Sequence, residues 1–144
     1  MAKLPIRWIE ARTYRHATED EGRVGRALDF ALPGGTPARE VLQGHFGNEL
    51  VRLTRRLEEN PSIRTAWERW TAAGLLEALA TEADARVDEE GILHFRLDKQ
   101  AAFEERWSLA TDSDTIDVRV KLVAYPAKPE SARRVAKSIL AGAA

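Results

Sequence analysis

The segment TIDVRVKL, residues 115–122, constrains the fold more than any other part of the chain. Its apolar and polar side chains alternate strictly, with Ile116, Val118, Val120 and Leu122 on one side and Asp117, Arg119 and Lys121 on the other. Successive side chains of a β-strand point to opposite faces of the sheet. A strand with one apolar and one polar face belongs to a sheet that is covered on one side only.

Other segments complete the same layout. Residues 5–16, 49–57 and 91–97 are rich in strand-forming residues, and the last two again have one apolar face. Helical periodicity covers residues 18–32, 61–85 and 129–140, with a break at Ala72-Ala73-Gly74 in the second segment. Helices that cover one face of such a sheet give a two-layer α+β sandwich. A chain of 144 residues predicts one domain over residues 1–144.

Two local signals make finer predictions. Thr18 followed by Glu21 is a capping-box spacing, which places the start of the first helix at Thr18. Residues 106–125 predict a hairpin whose turn is Thr111-Asp112-Ser113-Asp114.

The polar face of the predicted sheet is basic. It should display Arg52, Thr54, Arg56, His94, Arg96, Arg119 and Lys121, with Asp117 as its one acid. An open face of this kind can lie along a phosphate backbone. The alternative is that these are ordinary solvated strand residues. Trp8 or Tyr14 could supply base stacking, but the imperfect alternation of the first strand leaves its register open.

The sequence offers little for catalysis. It has no Cys, no Gly-x-Ser-x-Gly and no glycine-rich phosphate loop, and its three histidines lack metal-ligand spacing. Its carboxylate runs are explained by a helix cap and by turns. We therefore expect a protein that is not an enzyme and that needs no cofactor and no metal.

No apolar run in the chain approaches the length of a membrane span, and the first 15 residues contain charges instead of a signal-peptide core. These features predict a cytoplasmic protein with no membrane partner.

Two polar loops have two interpretations each. In HFRLDKQAAF, residues 94–103, Asp98 could cap a helical turn that leaves Lys99 and Gln100 solvated. Alternatively, Arg96 and Lys99 contact phosphate and Gln100 contacts a base edge or a 2′-hydroxyl. In GHFGN, residues 44–48, the two glycines allow a ligand to approach closely, or the loop is a plain connector.

Several of these stretches carry a family resemblance. HATED (16–20), GHFGN (44–48) and RLDKQAAF (96–103), followed by LATDSDTIDVRVKL (109–122), resemble archaeal proteins described as RNA-binding or exosome-associated subunits. The similarity spans nearly the whole chain. It implies a fold like that of ribosomal protein L5, a two-layer α+β arrangement with a mostly antiparallel sheet. It also implies RNA as partner, with a possible association with the archaeal exosome or the ribosome.

The matching motifs supply the loop residues of a predicted RNA-binding site, and the sheet face supplies its cations. The full set is His45, Gly47, Asn48, Arg52, Arg56, Arg96, Asp98, Lys99, Gln100, Arg119 and Lys121. The chain departs from a typical RNA binder in its net charge of -1 and its pI near 6.3. The alternative function is a protein-interaction subunit that docks a partner through the sheet face or the helix bearing Trp67 and Trp70. Oligomeric state is left open by the sequence.

Overall fold

The computed structural model describes residues 3–43, 47–110 and 114–142. The strands are β1 (Ile6–Arg15), β2 (Thr36–Gln43), β3 (Glu49–Leu57), β4 (Ile92–Asp98) and β5 (Thr115–Leu122). The helices are α1 (Glu21–Ala31), α2 (Asn60–Ala72), α3 (Leu75–Ala80), α4 (Ala83–Arg86), α5 (Lys99–Phe103) and α6 (Pro129–Leu140). The strands form one sheet in the order β2-β3-β1-β5-β4.

The sheet is antiparallel. Strand β2 pairs with β3 from Thr36 opposite Arg56 to Gln43 opposite Glu49. The two ends of β1 lie beside opposite ends of β5, since Thr13 donates to the Thr115 carbonyl while Val123 donates to the Pro5 carbonyl. The predicted α+β fold, with a mostly antiparallel sheet, is confirmed. Its specific likeness to ribosomal protein L5 stays a prediction.

The chain forms two compact units, and the prediction of one domain over residues 1–144 is not tested by this division. The first unit comprises residues 1–9, 57–95 and 119–144. Its core contains Trp70, which is fully buried and meets Phe95 edge-on, with ring centroids 5.2 Å apart. Trp67 packs beside Trp70 at 5.8 Å. Helices α3 and α4 both pack against α6.

The second unit comprises residues 10–56 and 96–118. Here α1 packs against α5, with Val24, Ala27, Leu28 and Ala31 of α1 buried. Thr13 of β1 is also buried, and its hydroxyl is satisfied by the Thr115 carbonyl at 2.8 Å. Strand β2 lies at the edge of the sheet, and its side chains are almost all exposed.

Two local predictions are wrong. Helix α1 is capped by Asp20, whose carboxylate accepts from the Arg23 N–H at 3.0 Å, so the helix begins two residues later than a Thr18 cap requires. Asp is as good an N-cap as Thr. The first arm of the predicted hairpin is not a strand paired with β5. Its residues lie along β4 instead, with Leu97 bridged to Leu109. Residues 111–113 of the predicted turn lie outside the described residues.

The end of α5 has an unusual residue at its turn. The N–H of Glu105 donates to Ala102 and that of Arg106 donates to Ala101, the pattern of a Schellman motif. Its left-handed position is occupied by Glu105, at φ 57°, where glycine is the common choice. This turn directs the chain back along β4.

Candidate nucleic-acid interface

The structure fixes the register of β1, which the sequence left open. Ile9, Ala11 and Thr13 are buried, so the residues between them point to the opposite, open face. Trp8, Glu10, Arg12 and Tyr14 therefore stand on the open side of β1. Trp8 and Tyr14 are partly exposed there, so β1 supplies aromatic side chains to the open face.

In the second unit, the arginines of the open face are paired with carboxylates. The Glu10 carboxylate accepts a hydrogen bond from the Arg56 guanidinium at 3.2 Å, and the Arg12 guanidinium lies 3.9 Å from the same carboxylate. Arg96 lies 3.5 Å from Asp117, and Arg52 pairs with Glu40 of β2. The expectation that Asp117 is the one acid on this face is wrong, because Glu10 and Glu40 also lie there. The sequence missed them because it did not give the register of β1 or the length of β2.

In the first unit, an arginine of the open face contacts an aromatic ring. The guanidinium carbon of Arg119 lies 5.4 Å from the ring centroid of Trp8, a cation–π contact. The ammonium of Lys121 donates to the Glu90 carbonyl. Arg119 and Lys121 therefore occupy the open face as predicted, each with a partner.

His94 also stands on the open side, where its ring meets Asp88 at 2.7 Å. Partial burial raises the pKa of Asp88, but hydrogen bonds from His94 and from the backbone N–H groups of Ile92 and Glu90 outweigh it and lower that pKa. The ring is thus oriented by a carboxylate that remains ionised in mildly acidic solution.

Three of the motif stretches meet at one buried cation, Lys99. Its side chain is fully buried, and its ammonium lies 2.6 Å from the Tyr14 carbonyl, 2.8 Å from Glu19 and 3.3 Å from Asp114. Glu19 belongs to HATED, Lys99 to RLDKQAAF and Asp114 to LATDSD. We call Lys99, Glu19, Asp114 and the Tyr14 carbonyl the Lys99 cluster. The cluster therefore joins three stretches that are far apart in the sequence.

The Lys99 cluster changes the interpretation of RLDKQ. The expectation that Lys99 is a solvated turn residue is wrong, because its side chain is fully buried and its ammonium has three oxygen partners. Asp98 caps α5, as one of the two interpretations predicted, because its carboxylate accepts from the Ala101 N–H at 3.1 Å. Gln100 and Arg96 remain exposed at this corner.

Gln100 is oriented by the same cluster. Its amide nitrogen donates to Asp114 at 2.8 Å, which leaves the amide oxygen as an acceptor. Partial burial raises the pKa of Asp114, but the Gln100 hydrogen bond and the ammonium of Lys99 together lower it.

The second predicted loop is described only in part. His45 lies outside the described residues, together with Gly44 and Phe46. Gly47 has φ 79°, a left-handed conformation that glycine adopts without strain, and both Gly47 and Asn48 are exposed. The described part of the chain therefore presents this loop end to solvent.

The described residues contain no group of three or more His, Asp or Glu side chains that could hold a metal ion. Among the same residues, none of the helices is long and apolar enough to cross a membrane.

Comparison with known proteins gives the chain a family. A family model described as RNA binding matches residues 8–122. The chain belongs to this RNA-binding family. An RNA-binding protein of Pyrococcus abyssi, PAB1135, is 31% identical, with 97% of each chain covered. The matched region contains β1 from Trp8 onward and all of β2 to β5, and it includes the residues of the Lys99 cluster.

Solved structures agree with this assignment. Mth689 of Methanothermobacter thermautotrophicus, a DUF54 protein, is 36% identical with a TM-score of 0.80, covering 94% of this chain and 98% of its own. AF2318, an archaeal DUF54 protein from Archaeoglobus fulgidus, is 31% identical with a TM-score of 0.84, covering 93% and 99%. The predicted membership of an archaeal RNA-binding family is confirmed.

Proposed function

We propose that this protein binds RNA, without catalysis of its own, through the open face of its sheet. One observation carries the proposal: the open side of β1 presents Trp8 and Tyr14, while the strands around it present arginines. Cations that contact the backbone and aromatic rings that stack on bases are the two components of single-strand recognition. The family description supports RNA as the ligand.

The carboxylates on this face do not preclude RNA binding. Exposed ion pairs contribute about 0–1 kcal/mol each, so a phosphate can replace a carboxylate partner of Arg52 or Arg96 at little cost. The pairs also hold the guanidinium groups in place before RNA arrives, which lowers the entropy lost on binding. Their acids keep the net charge near neutral and would limit non-specific attraction to polyanions.

The proposed contact residues follow the predicted set with one removal. Lys99 is left out because its ammonium is buried and occupied. The remaining residues are His45, Gly47, Asn48, Arg52, Arg56, Arg96, Asp98, Gln100, Arg119 and Lys121, to which we add Trp8, Arg12 and Tyr14. Of these, Asp98 acts by capping α5 and so holding Gln100 at the corner.

The test is a salt-dependent RNA titration. Fluorescent single-stranded and hairpin RNA would be titrated at several salt concentrations with the wild type and with Arg52→Ala/Arg96→Ala. For single strands, each phosphate contact contributes about -0.7 to the slope of log K against log salt. The variant should bind more weakly and with a slope smaller in magnitude by roughly 1.4.

The matched control is Arg64→Ala/Arg69→Ala, which removes the same charge from α2. Both variants should first give the wild-type circular dichroism spectrum. The proposal fails if the wild type binds neither RNA, if affinity is independent of salt, or if the two double variants weaken binding equally.

The alternative function is docking of a protein partner, and of its two predicted surfaces the helix bearing Trp67 and Trp70 is unsuitable. Trp67 is 5% exposed and Trp70 is 0% exposed, so these rings are part of the core and cannot anchor a partner. The sheet face stays available to this alternative. Loss of RNA binding on addition of a protein partner would indicate that both ligands use that face.

We further propose that the RNA-bound protein associates with the archaeal exosome, as the resemblance implies. Co-elution with purified exosome in size-exclusion chromatography, with and without RNA, tests this. Separate elution in both cases would remove the association and leave the RNA proposal unchanged.

A further inference from the structure

On the open face of the first unit, three neighbouring strands bring an aromatic ring, a guanidinium and an imidazole into one row. The sheet order places β5 between β1 and β4. Trp8 of β1 lies against Arg119 of β5, with the guanidinium carbon 5.4 Å from the ring centroid. His94 of β4 stands on the same face, and its side chain is 45% exposed. The contact residues proposed above do not include His94.

Strand pairing places His94 directly opposite Arg119. The Leu122 N–H donates to the carbonyl of Gly91, the residue before β4, at 3.0 Å, so these two residues are paired across the two strands. Three steps along the antiparallel ladder from this pair, His94 lies opposite Arg119. The residues one step nearer the turn on each strand are both buried, as this register requires. Residues directly opposite on one face have Cβ atoms about 4.5–5.5 Å apart, which makes the two side chains neighbours.

Asp88 fixes both the orientation and the tautomer of the His94 ring. One carboxylate oxygen of Asp88 accepts from the N–H groups of Glu90 and Ile92, at 2.8 and 3.0 Å. The other oxygen lies 2.7 Å from Nε2 of His94. Because an ionised carboxylate can only accept, Nε2 carries the proton. Nδ1 of the neutral ring is therefore a hydrogen-bond acceptor.

This Nδ1 atom is available to a ligand. Among the described residues it has no hydrogen-bond partner, and it is not one of the buried unsatisfied side-chain atoms. The imidazole is thus held by one nitrogen and presents the other, as an acceptor, on the face proposed to bind RNA. A ligand that satisfies it must bring a hydrogen-bond donor.

The ribose of RNA carries the matching pair of groups. Its 2′-hydroxyl can donate a hydrogen bond, and its 3′-phosphate is attached to the neighbouring carbon atom. His94 and Arg119, themselves neighbours, offer an acceptor for the hydroxyl and a cation for the phosphate. The contact with Trp8 uses the face of the Arg119 guanidinium, whereas the N–H donors lie in the plane of that group. Deoxyribose has no donor to offer to Nδ1.

We infer that His94 recognises the 2′-hydroxyl of one bound nucleotide while Arg119 binds the adjoining phosphate, and that this pair makes the protein prefer RNA to DNA. Asp88 acts as a positioning residue through the ring. The inference rests on the proposed RNA binding. It adds a discrimination that cations and stacking rings do not supply, because both polymers carry phosphates and bases.

The test uses the RNA that the protein binds in the titration above, prepared with ribose, with 2′-fluororibose and with deoxyribose. Fluorine at the 2′ position keeps the RNA-like sugar conformation but cannot donate a hydrogen bond. In fluorescence-anisotropy titrations, the wild type should bind the ribose form about 2- to 12-fold more tightly than the 2′-fluoro form, the range for one net hydrogen bond. The deoxyribose form should bind no more tightly than the 2′-fluoro form.

The variants act on the ratio of ribose to 2′-fluoro affinity. His94→Phe, which keeps a ring but no nitrogen, should bring this ratio close to one. His94→Asn, whose amide oxygen can take the place of Nδ1, should keep part of the preference. Asp88→Ala releases the ring and should lower the ratio. The matched control, His16→Phe, removes an exposed imidazole of the second unit and should keep the wild-type ratio.

The outcomes separate this inference from the proposed function. If Arg52→Ala/Arg96→Ala weakens binding but the wild type binds the ribose and 2′-fluoro forms equally, the RNA proposal stands and the role of His94 is overturned. A preference that survives unchanged in His94→Phe also overturns it. If the wild type binds no RNA, the proposed function fails and this inference fails with it. A partly unfolded variant does not mimic the expected result, because an inactive fraction affects the titrations of both forms alike.

Discussion

Replacing Lys99 by Met tests whether the Lys99 cluster holds the second unit together. Methionine fills a similar volume but removes the ammonium, so the Tyr14 carbonyl, Glu19 and Asp114 lose a shared donor. Breaking a buried ion pair by removing one partner costs about 3–5 kcal/mol. The side chains of Glu19 and Asp114 are 21% and 39% exposed. Water can therefore replace part of what they lose, and we expect a cost of about 3 kcal/mol, at the lower end of that range.

The assay is urea unfolding followed by circular dichroism, with Lys128→Met as control. Lys128 is exposed, so its substitution should change stability by less than about 0.5 kcal/mol. In Lys99→Met, replacing Glu19 by Gln should recover part of the lost stability, because the neutral amide of glutamine leaves no unpaired charge at that position. A loss within about 0.5 kcal/mol of the control would refute the reasoning.

The same variant decides between two roles for Lys99. If Lys99 has only a structural role, the RNA affinity of Lys99→Met, measured well below its unfolding temperature, should be close to that of the wild type. A large loss of affinity in a folded Lys99→Met protein, with a reduced salt slope, would instead favour the phosphate contact that the sequence first suggested.

Three further predictions concern stability. The pKa of Asp114 is lowered in the folded protein, so its contribution is complete above the unfolded value near 3.8 and is lost as pH falls below it; Asp114→Asn should flatten the acid-unfolding profile in that range. Glu105→Gly should raise the free energy of unfolding by about 0.5–1 kcal/mol, because relief of a left-handed conformation that costs a residue with a side chain about 1–2 kcal/mol outweighs the greater backbone entropy that glycine loses on folding. A lower urea midpoint would contradict this. Trp70→Ala should cost about 3–5 kcal/mol in the same experiment, because the ring is fully buried against Phe95; a loss below 1 kcal/mol would contradict that packing.

Much of the sheet could be predicted because its pattern is local. Leu93, Phe95 and Leu97 alternate with polar residues, and all three are buried as expected. Strand β1 was harder, because buried Ile6 and Ile9 lie three residues apart and interrupt the alternation. Without its register, the sequence could not assign Trp8 and Tyr14 to the open face.

The Lys99 cluster could not be predicted because its partners come from distant parts of the chain. Tyr14 and Glu19 precede Lys99 by 85 and 80 residues. A lysine after a cap residue is usually solvated, so local reasoning gives the wrong burial. A signal was present, however: three of the four stretches that carry the family resemblance each contribute one charged member of the cluster, namely Glu19, Lys99 and Asp114.

The strand order has a consequence for how the chain acquires its fold. Strand β1 lies between β3 and β5, and its Thr13 hydroxyl is satisfied by the carbonyl of Thr115, 102 residues further along the chain. Pairings of such long sequence separation are slow to form, since the intervening chain must be closed into a loop first. During synthesis at about 5–20 residues per second, at least ~5 s pass between translation of β1 and translation of β5, and one edge of β1 remains unpaired during that time. The nascent chain is most exposed to mispairing in that interval.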